Sequence, residues 1–228
     1  MVKCDAVISY PCHNRREYVE LTAPQVINEK YNSKHKCLLY VGDDNSKDGT
    51  WEYLNTLAGI DKLEQRVVGN SIWQLNEAFK LAKERGAKYV IAMANDILPA
   101  DGHIDKMIEL MEANPKACSI MIEECFNLPY IKDDLEVKEY PFTSSLGIHR
   151  ADLYPHNMAA NKRFFGFQEY QNRLYKEGYT CLRVSGMGNT NLDGSAWSRQ
   201  EDYYRKGYAR KGLVANDKTV YKTELNNG

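Results

Sequence analysis

Short apolar runs alternate with helix-like segments along the first half of the chain. The runs have the length of buried strands, and the segments between them place apolar side chains at helical spacing. The predicted strands are residues 4–10, 36–42 and 88–94, and the predicted helices are residues 17–28, 71–85 and 103–113. Strands that alternate with helices predict an α/β fold with a mostly parallel, twisted sheet and helices on both faces.

Turn-forming and capping residues separate these elements. Pro11 forces a turn after the first strand, and Gly86 is placed to end the helix that precedes it. A further short helix follows the second strand, where Asp48 or Ser46 is a suitable cap. Residues 66–70 have the pattern of a short edge strand. The first two strands are therefore each followed by a turn and a helix.

Polar residues follow the ends of the three predicted strands, at residues 11–14, 43–44 and 95–96. A sheet of this kind binds its ligands in the crevice beyond the carboxyl ends of its strands. The paired carboxylates of Asp43 and Asp44 can accept strong hydrogen bonds from a base edge or a ribose hydroxyl. The same stretch also favours a plain strand-to-helix turn, so the two aspartates alone leave both interpretations open.

Composition limits the classes of protein that need to be considered. With 228 residues and 43% hydrophobic content the chain can bury one core, and a net charge of -1 gives no overall attraction to nucleic acid or an anionic membrane. No run approaches the roughly 18 apolar residues of a membrane span, and the N-terminus has no signal-peptide core. We therefore expect a cytoplasmic protein without a membrane partner, whose cysteines are reduced.

Two of the strand-end turns resemble motifs of the family 2, GT-A type glycosyltransferases. The pattern V-D-D-x-S-x-D-G-T is matched by Asp43, Asp44, Ser46, Asp48, Gly49 and Thr50, and P-x-x-N-R/E is matched by Pro11, Asn14 and Arg15. The resemblance extends over roughly residues 4–210. It implies a Rossmann-like GT-A fold and a nucleotide site formed by Pro11, His13, Asn14, Arg15, Asp43, Asp44 and Asn95.

The resemblance also implies one GT-A domain over residues 1–228. Residues 1–115 would bind the nucleotide sugar, and the smaller subregion 116–228 would bind the acceptor. In the C-terminal tail, residues 197–211 interleave aromatic and basic side chains, which could stack on bases and meet phosphates. The alternative is an amphipathic helix whose cations are solvated or contact a diphosphate. Nucleic acid is therefore a possible partner but not the favoured one.

A cation site is implied near the end of the third strand. Glycosyltransferases of this fold commonly carry D-x-D there, which binds Mn²⁺ or Mg²⁺ across the two phosphates of the sugar nucleotide. This chain has Ala94 at the first position, so Asp96 is the remaining metal carboxylate and the ion should bind mainly together with the nucleotide. Asp193 replaces a metal-binding histidine that family members often carry. The alternatives are a turn at Asp96 that caps the next helix, and a mobile lid around Asp193.

A third match implies the catalytic base. Residues 161–179 resemble the family segment D-E-R-F-F-x-x-x-E-D, in which the E-D pair opens a helix at the acceptor mouth. Glu169 aligns with the glutamate and Tyr170 replaces the aspartate. Glu169 would then deprotonate an acceptor hydroxyl in line with the leaving group, which inverts the anomeric centre. The alternative is a glutamate in the first turn of a helix, where negative charge is favourable.

The histidines carry smaller predictions. His13 is expected to stack or pack in the nucleotide turn, and either His149 or Arg150 is a candidate phosphate contact. The remaining histidines, which are His35, His103 and His156, are expected at the surface.

The sequence thus predicts a glycosyltransferase that moves a hexose or deoxyhexose from a nucleoside-diphosphate sugar, with a UDP-sugar favoured, to an acceptor hydroxyl. A glycan, a protein or a modified DNA base could be the acceptor, as in enzymes of polysaccharide clusters or of viral genomes. One alternative is a catalytically silent module that binds a nucleotide or glycan, which the missing first aspartate favours. The other is a sugar-nucleotide nucleotidyltransferase, which the absence of a Gly-rich loop after the first strand disfavours.

Overall fold

Alternating strands and helices build the computed structural model of this chain, which describes residues 3–67, 72–122, 130–140, 146–158 and 165–192. The strands are β1 (Ala6–Cys12), β2 (Cys37–Asp43), β3 (Lys62–Gln65), β4 (Tyr89–Ala92), β5 (Ile97–Pro99), β6 (Ala117–Ile122), β7 (Glu136–Tyr140), β8 (Gly147–Arg150), β9 (Thr180–Ser185) and β10 (Asn189–Asn191). The helices are α1 (Arg16–Asn32), α2 (Thr50–Leu54), α3 (Ile72–Arg85), α4 (His103–Ala113) and α5 (Phe165–Lys176).

Within the described residues, eight strands form one sheet in the order β3-β2-β1-β4-β8-β6-β9-β7. The first four strands along the chain are parallel where they pair, and β6 is parallel to β9. Strands β8 and β7 run against their neighbours. A separate two-stranded sheet pairs β5 with β10. The predicted α/β fold with a mostly parallel sheet is confirmed.

Helices cover both faces of this sheet, and the strands supply side chains to each face alternately. In β1, Ile8 and Tyr10 pack with α1 and α4 on one face, whereas Val7 packs with α3 and α5 on the other. Because both faces are covered, the central strands are apolar along their whole length rather than at every second position. This is why their sequences appear as continuous apolar runs.

The observed elements differ from the predicted ones mainly at their boundaries. Helix α4 has the predicted bounds, and Gly86 follows α3 with the positive φ of 66° expected of a helix-ending glycine. An edge strand was predicted at residues 66–70, but the strand that pairs with β2 is β3, at Lys62–Gln65. Residues 66–67 are not in a strand, and residues 68–70 lie outside the described residues. In the sequence of β3, KLEQ, three of the four residues are polar, so this edge strand lacks the apolar signal of the inner strands.

The described cysteines are buried and form no disulfide among themselves, and the sulfurs of Cys118 and Cys181 lie 3.4 Å apart. These residues are Cys4, Cys12, Cys37, Cys118 and Cys181, whereas Cys125 lies outside the described residues. In the part of the chain that the structure describes, no helix is both long enough and apolar enough to cross a bilayer.

Candidate functional site

Three of the predicted site turns meet at one edge of the sheet. Strands β1 and β2 end level with each other, because Cys12 pairs with Asp43. Strand β4 lies on the other side of β1, and the chain continues from it directly to Asn95 and Asp96. The carboxyl ends of these parallel strands therefore bring residues 11–15, 43–48 and 94–96 together, as the strand-end pattern predicted.

The loops after β1 and β2 are cross-linked by hydrogen bonds. The amide of Asn14 donates to Ser46 Oγ at 2.7 Å, and the amide of Lys47 donates to Asn14 Oδ1 at 2.8 Å. Asn14, Arg15 and Asn45 all have left-handed φ values, of 56°, 65° and 57°. Residues other than glycine adopt this conformation only where surrounding contacts hold it, and such positions concentrate at functional sites. The pair of loops is therefore rigid before any ligand arrives.

His13 adds a further link between these loops. Its Nδ1 lies 2.7 Å from the carbonyl oxygen of Asp44, and its Nε2 lies 3.2 Å from the side-chain nitrogen of Asn14. Because a carbonyl oxygen can only accept, Nδ1 carries the proton and Nε2 accepts from the Asn14 amide. The ring remains exposed at the mouth of the site.

Asp43 is completely buried, and hydrogen bonds from the protein reach both of its oxygens. Oδ2 accepts from the Ser46 amide at 3.0 Å and from Gln65 Nε2 at 2.7 Å, and Oδ1 accepts from the Ser46 hydroxyl. The carboxylate thus holds the turn after β2 against β3. A direct contact between Asp43 and a nucleotide remains a prediction, whereas Asp44 follows β2 one residue further out.

Asp48 connects the starts of two helices. Its Oδ2 accepts from the amide of Arg16, at the start of α1, at 2.9 Å. Its Oδ1 accepts from the amide and hydroxyl of Thr50, at the start of α2, at 3.1 and 2.7 Å. Desolvation raises the pKa of this carboxyl, but these hydrogen bonds outweigh it and bring the pKa below the usual value. Of the two predicted caps, Asp48 is the one that bonds to α2.

Asp96 forms an ion pair with Arg15 across the site. Arg15 Nη1 lies 2.5 Å from Asp96 Oδ2. The guanidinium in the turn after β1 therefore neutralises the carboxylate in the turn after β4. Asn95 joins the same two turns, because its side-chain amide donates to the carbonyl of Asn14 at 3.4 Å. All these residues were predicted to bind the nucleotide or a metal ion, and the structure brings them together.

The alternative in which the turn at Asp96 caps the next helix is wrong. The amides of Gly102 and Ile104, at the start of α4, donate instead to the carboxylate of Glu29 in α1, at 3.0 and 3.3 Å. Burial raises the pKa of Glu29, and these hydrogen bonds oppose that shift. Asp96 is therefore not needed as a helix cap.

Strand β10 brings a later part of the chain to this turn. Asn191 pairs with Ile97, and the amide of Leu192 donates to the carbonyl of Asp96 at 2.9 Å. Asp193, the second predicted metal ligand, is the next residue in the sequence but lies outside the described residues. No cluster of three or more His, Cys, Asp or Glu side chains that could hold a metal ion occurs among the residues described.

Glu169 lies on the exposed side of α5, in the second turn of the helix. The helix starts four residues earlier, at Phe165, so the alternative of a first-turn glutamate is wrong. Helix α5 packs on the sheet through Phe167 and Leu174, and a short link joins it to β9. It must therefore run back along β9, and its 12 residues span about 18 Å. The half of α5 that carries Glu169 lies toward the edge where β6 and β9 end.

Comparison with known proteins agrees with this arrangement. A family model described as glycosyl transferase family 2 matches residues 8–173, which is well over half of the chain. The chain belongs to this family. No curated protein matches the sequence.

Several solved structures are similar to this family 2 member. S. aureus TarS 1-349 superposes with a TM-score of 0.58 at 14% identity, over 82% of this chain and 59% of that one. The UDP-GlcNAc complex of TarS gives 0.56 at 15% identity, over 82% and 57%. The mannosyltransferase PcManGT from Pyrobaculum calidifontis, in complex with GDP-Man and Mn²⁺, gives 0.55 at 14%, over 82% and 58%. These likenesses show the GT-A fold, and the chain spans less than two thirds of the length of these proteins.

Two predictions for basic residues are wrong: the phosphate contact by His149 or Arg150, and the surface position of His103. His149 is completely buried, with Nδ1 2.8 Å from Ser119 Oγ, and Arg150 Nε donates to the carbonyl of Ala117 at 2.8 Å. Both are thus engaged in the packing of β8 rather than placed for a phosphate. His103 is buried rather than at the surface, and desolvation lowers its pKa to about 4.

Sequence reasoning missed several polar residues that position the site. Thr22 Oγ1 donates to the carbonyl of Asn95 at 3.1 Å, and Gln74 Nε2 donates to the carbonyl of Gly42 at 2.6 Å. Two such residues, Thr22 and Glu29, could have been found from the sequence, because they lie at i and i+7 on the buried face of α1. A polar residue on the apolar face of a helix must have a hydrogen-bond partner. The partner of Thr22 is Asn95 in the site, and the partners of Glu29 are at the start of α4.

Proposed function

We propose that the chain transfers a sugar from a nucleoside-diphosphate sugar, with a UDP-sugar favoured, to an acceptor hydroxyl with inversion. The observation that carries this proposal is the meeting of three polar turns at one edge of the sheet, two of them fixed in a left-handed backbone conformation. Support comes from the fold shared with TarS, whose structures include complexes with UDP and UDP-GlcNAc, and with PcManGT in complex with GDP-Man.

In this proposal the loops after β1 and β2 hold the nucleoside. Asp44 accepts hydrogen bonds from the base or ribose, and His13 packs beside it with Pro11. Asp43 supports this pocket from beneath, because its own oxygens bond to Ser46 and Gln65. Since the pocket is already braced, little conformational entropy is lost when the nucleotide binds.

The residues near Asp96 fit a divalent cation that binds together with the phosphates of the donor, rather than one that the protein binds alone. Mg²⁺ and similar ions often bind through one or two carboxylates together with substrate phosphates. Asp96 would be one protein ligand and Asp193 the other, with Asn95 beside the ribose or phosphate. Mn²⁺ or Mg²⁺ would neutralise charge on the departing nucleoside diphosphate.

Glu169 is the proposed catalytic base. Its carboxylate takes the proton of the acceptor hydroxyl, and the hydroxyl oxygen then bonds to the anomeric carbon as the bond from that carbon to the diphosphate breaks. Because the oxygen attacks opposite the leaving group, the configuration at the anomeric carbon is inverted. We place the donor in residues 1–115 and the acceptor, a glycan, protein or modified DNA base, in residues 116–228.

A donor panel tests the proposal. UDP-, GDP- and TDP-sugars would be incubated with the protein, with and without Mn²⁺, and release of the nucleoside diphosphate measured. Glu169→Gln should lower turnover at least about 100-fold, since a general base contributes that much, and should leave UDP affinity unchanged. Glu177→Gln, an exposed glutamate just after α5, is the matched control and should keep full activity.

Two outcomes would oppose this function. If no donor is turned over and Asp96→Ala leaves nucleotide binding intact, the enzyme proposal fails. Binding without turnover would support a catalytically silent module, which is favoured by Ala94 in place of an acid and by the pairing of Asp96 with Arg15.

A further inference from the structure

The ion pair between Arg15 and Asp96 places an internal cation where a donor-borne cation is expected. Arg15 lies in the nucleotide turn, and Asp96 is 81 residues later along the chain. With Ala94 in place of an acid, Asp96 is the carboxylate of the turn at residues 94–96, and the guanidinium contacts it at 2.5 Å. Arg15 and Asp96, the two charged groups expected to interact with the diphosphate and its cation, therefore neutralise each other in the ligand-free protein.

Of the two partners, Asp96 is fixed and Arg15 can move. The carbonyl of Asp96 accepts from the amide of Leu192, and the carbonyl of the preceding Asn95 accepts from Thr22, so the backbone is held on both sides. The Asp96 side chain is 17% exposed, whereas that of Arg15 is 41% exposed. An arginine side chain has several rotatable bonds, so its guanidinium can change partner while the backbone of the turn stays in place.

The energetics favour such a change of partner. An ion pair whose arginine is partly open to water contributes modestly to stability, so it costs little to break. A bare carboxylate beside a diphosphate would repel it, whereas a guanidinium binds phosphate oxygens through two parallel hydrogen bonds. A donor that carries its own divalent cation offers both partners a better counter-charge than they offer each other.

We infer that Arg15 is the counter-ion of Asp96 only in the ligand-free protein, and that it moves to the diphosphate when the donor binds. Asp96 then faces the cation that the donor carries. This inference rests on the proposed function and adds a binding role for the Arg15 side chain. It also explains how a site with one carboxylate at residues 94–96 avoids exposing an unpaired charge before the donor arrives.

A double-mutant cycle read by calorimetric UDP binding tests the exchange. Arg15→Gln, Asp96→Asn and the double variant would be titrated with UDP in EDTA and again with Mn²⁺. Arg15→Gln should weaken UDP binding about tenfold or more, as expected for the loss of charge-assisted hydrogen bonds. In EDTA, Asp96→Asn should strengthen UDP binding several-fold, because the ion pair between Arg15 and Asp96 no longer has to break. In the Arg15→Gln background the gain should be clearly smaller, because only the repulsion between Asp96 and the diphosphate is then relieved.

Arg16→Gln is the matched control. Arg16 is the next residue and is 46% exposed, but its guanidinium pairs with Glu20 at 2.8 Å. Its loss should change UDP affinity less than twofold. Arg15→Lys keeps the charge without the two parallel hydrogen bonds and should fall between the wild type and Arg15→Gln, which also covers the case in which the glutamine variant folds poorly.

The outcomes separate this inference from the function on which it rests. If Asp96→Asn strengthens UDP binding equally in both backgrounds, simple charge repulsion accounts for the effect and the exchange is refuted. Unchanged UDP affinity in Arg15→Gln would refute it as well. If the wild type binds none of UDP, GDP or TDP, the proposed function itself fails and the inference fails with it.

Discussion

Replacement of Asp43 should destabilise the fold before it affects any ligand. The carboxylate has no solvent-exposed surface and accepts hydrogen bonds from the Ser46 amide, the Ser46 hydroxyl and Gln65 Nε2. Asp43→Ala leaves the Ser46 amide without an acceptor in a buried site, and such a group costs about 1 to 3 kcal/mol. The Ser46 hydroxyl can rotate to another partner, and the exposed Gln65 side chain can bond to water, so each of these two lost hydrogen bonds adds less. The expected loss is about 3 kcal/mol in the free energy of unfolding.

Asp43→Asn should cost less, about 2 kcal/mol, because the amide keeps one acceptor oxygen and can donate to the Ser46 hydroxyl. Urea unfolding followed by circular dichroism measures both losses through the midpoint, provided that the slope is unchanged. Asp133→Ala removes an exposed carboxylate and should lie within about 0.5 kcal/mol of the wild type. The reasoning is refuted if Asp43→Ala is as stable as this control while UDP binding is lost, since Asp43 would then contact the nucleotide.

Three further predictions concern pH and backbone geometry. The pKa of His103 falls from 6.5 to about 4 on folding, so the unfolded chain binds more protons in that range and stability decreases as pH falls. When the pH is lowered from about 7.5 to about 5, this residue should decrease the free energy of unfolding by about 2 kcal/mol. Urea unfolding should show this decrease in the wild type and not in His103→Gln. Asp48→Ala removes bonds at two helix starts and should cost about 1 to 2 kcal/mol at neutral pH. Because the pKa of Asp48 is lowered on folding, its contribution is present above the usual value of 3.8, and melting curves should show the gap to the variant closing as pH falls below it. Gly147→Ala should cost at least about 3 kcal/mol, since φ is +129° and a Cβ would lie 2.2 Å from the carbonyl oxygen of Ile120. Gly102→Ala, at φ +77° with no described atom within 4 Å of the new Cβ, is its control and should cost about 1 kcal/mol; equal melting temperatures for the two variants would contradict the clash.

The order and type of the central elements could be predicted from the sequence because they depend on local patterns. Apolar runs of strand length and helical spacing of apolar residues gave β1, β2 and β4 together with α1, α3 and α4, with boundaries a few residues away from those observed. The position of the site followed from the same pattern, since polar residues after parallel strands must meet at one edge. The edge strand β3 was misplaced because three of its four residues are polar, so it has no apolar signal.

What each site residue contacts depended on pairs of residues far apart in the sequence. Arg15 contacts Asp96 because the start of α1 lies beside the turn after β4. Glu29 rather than a local residue caps α4 because α1 also packs against α4. The sequence identified Asp43 as a residue of the site, but only the approach of β3 shows that Gln65 binds its carboxylate. Periodicity reports which face of an element is buried, whereas the partner of a buried polar group is set by how the elements pack. Local physics therefore determined the elements and the location of the site, and tertiary packing decided which of its charges are already paired.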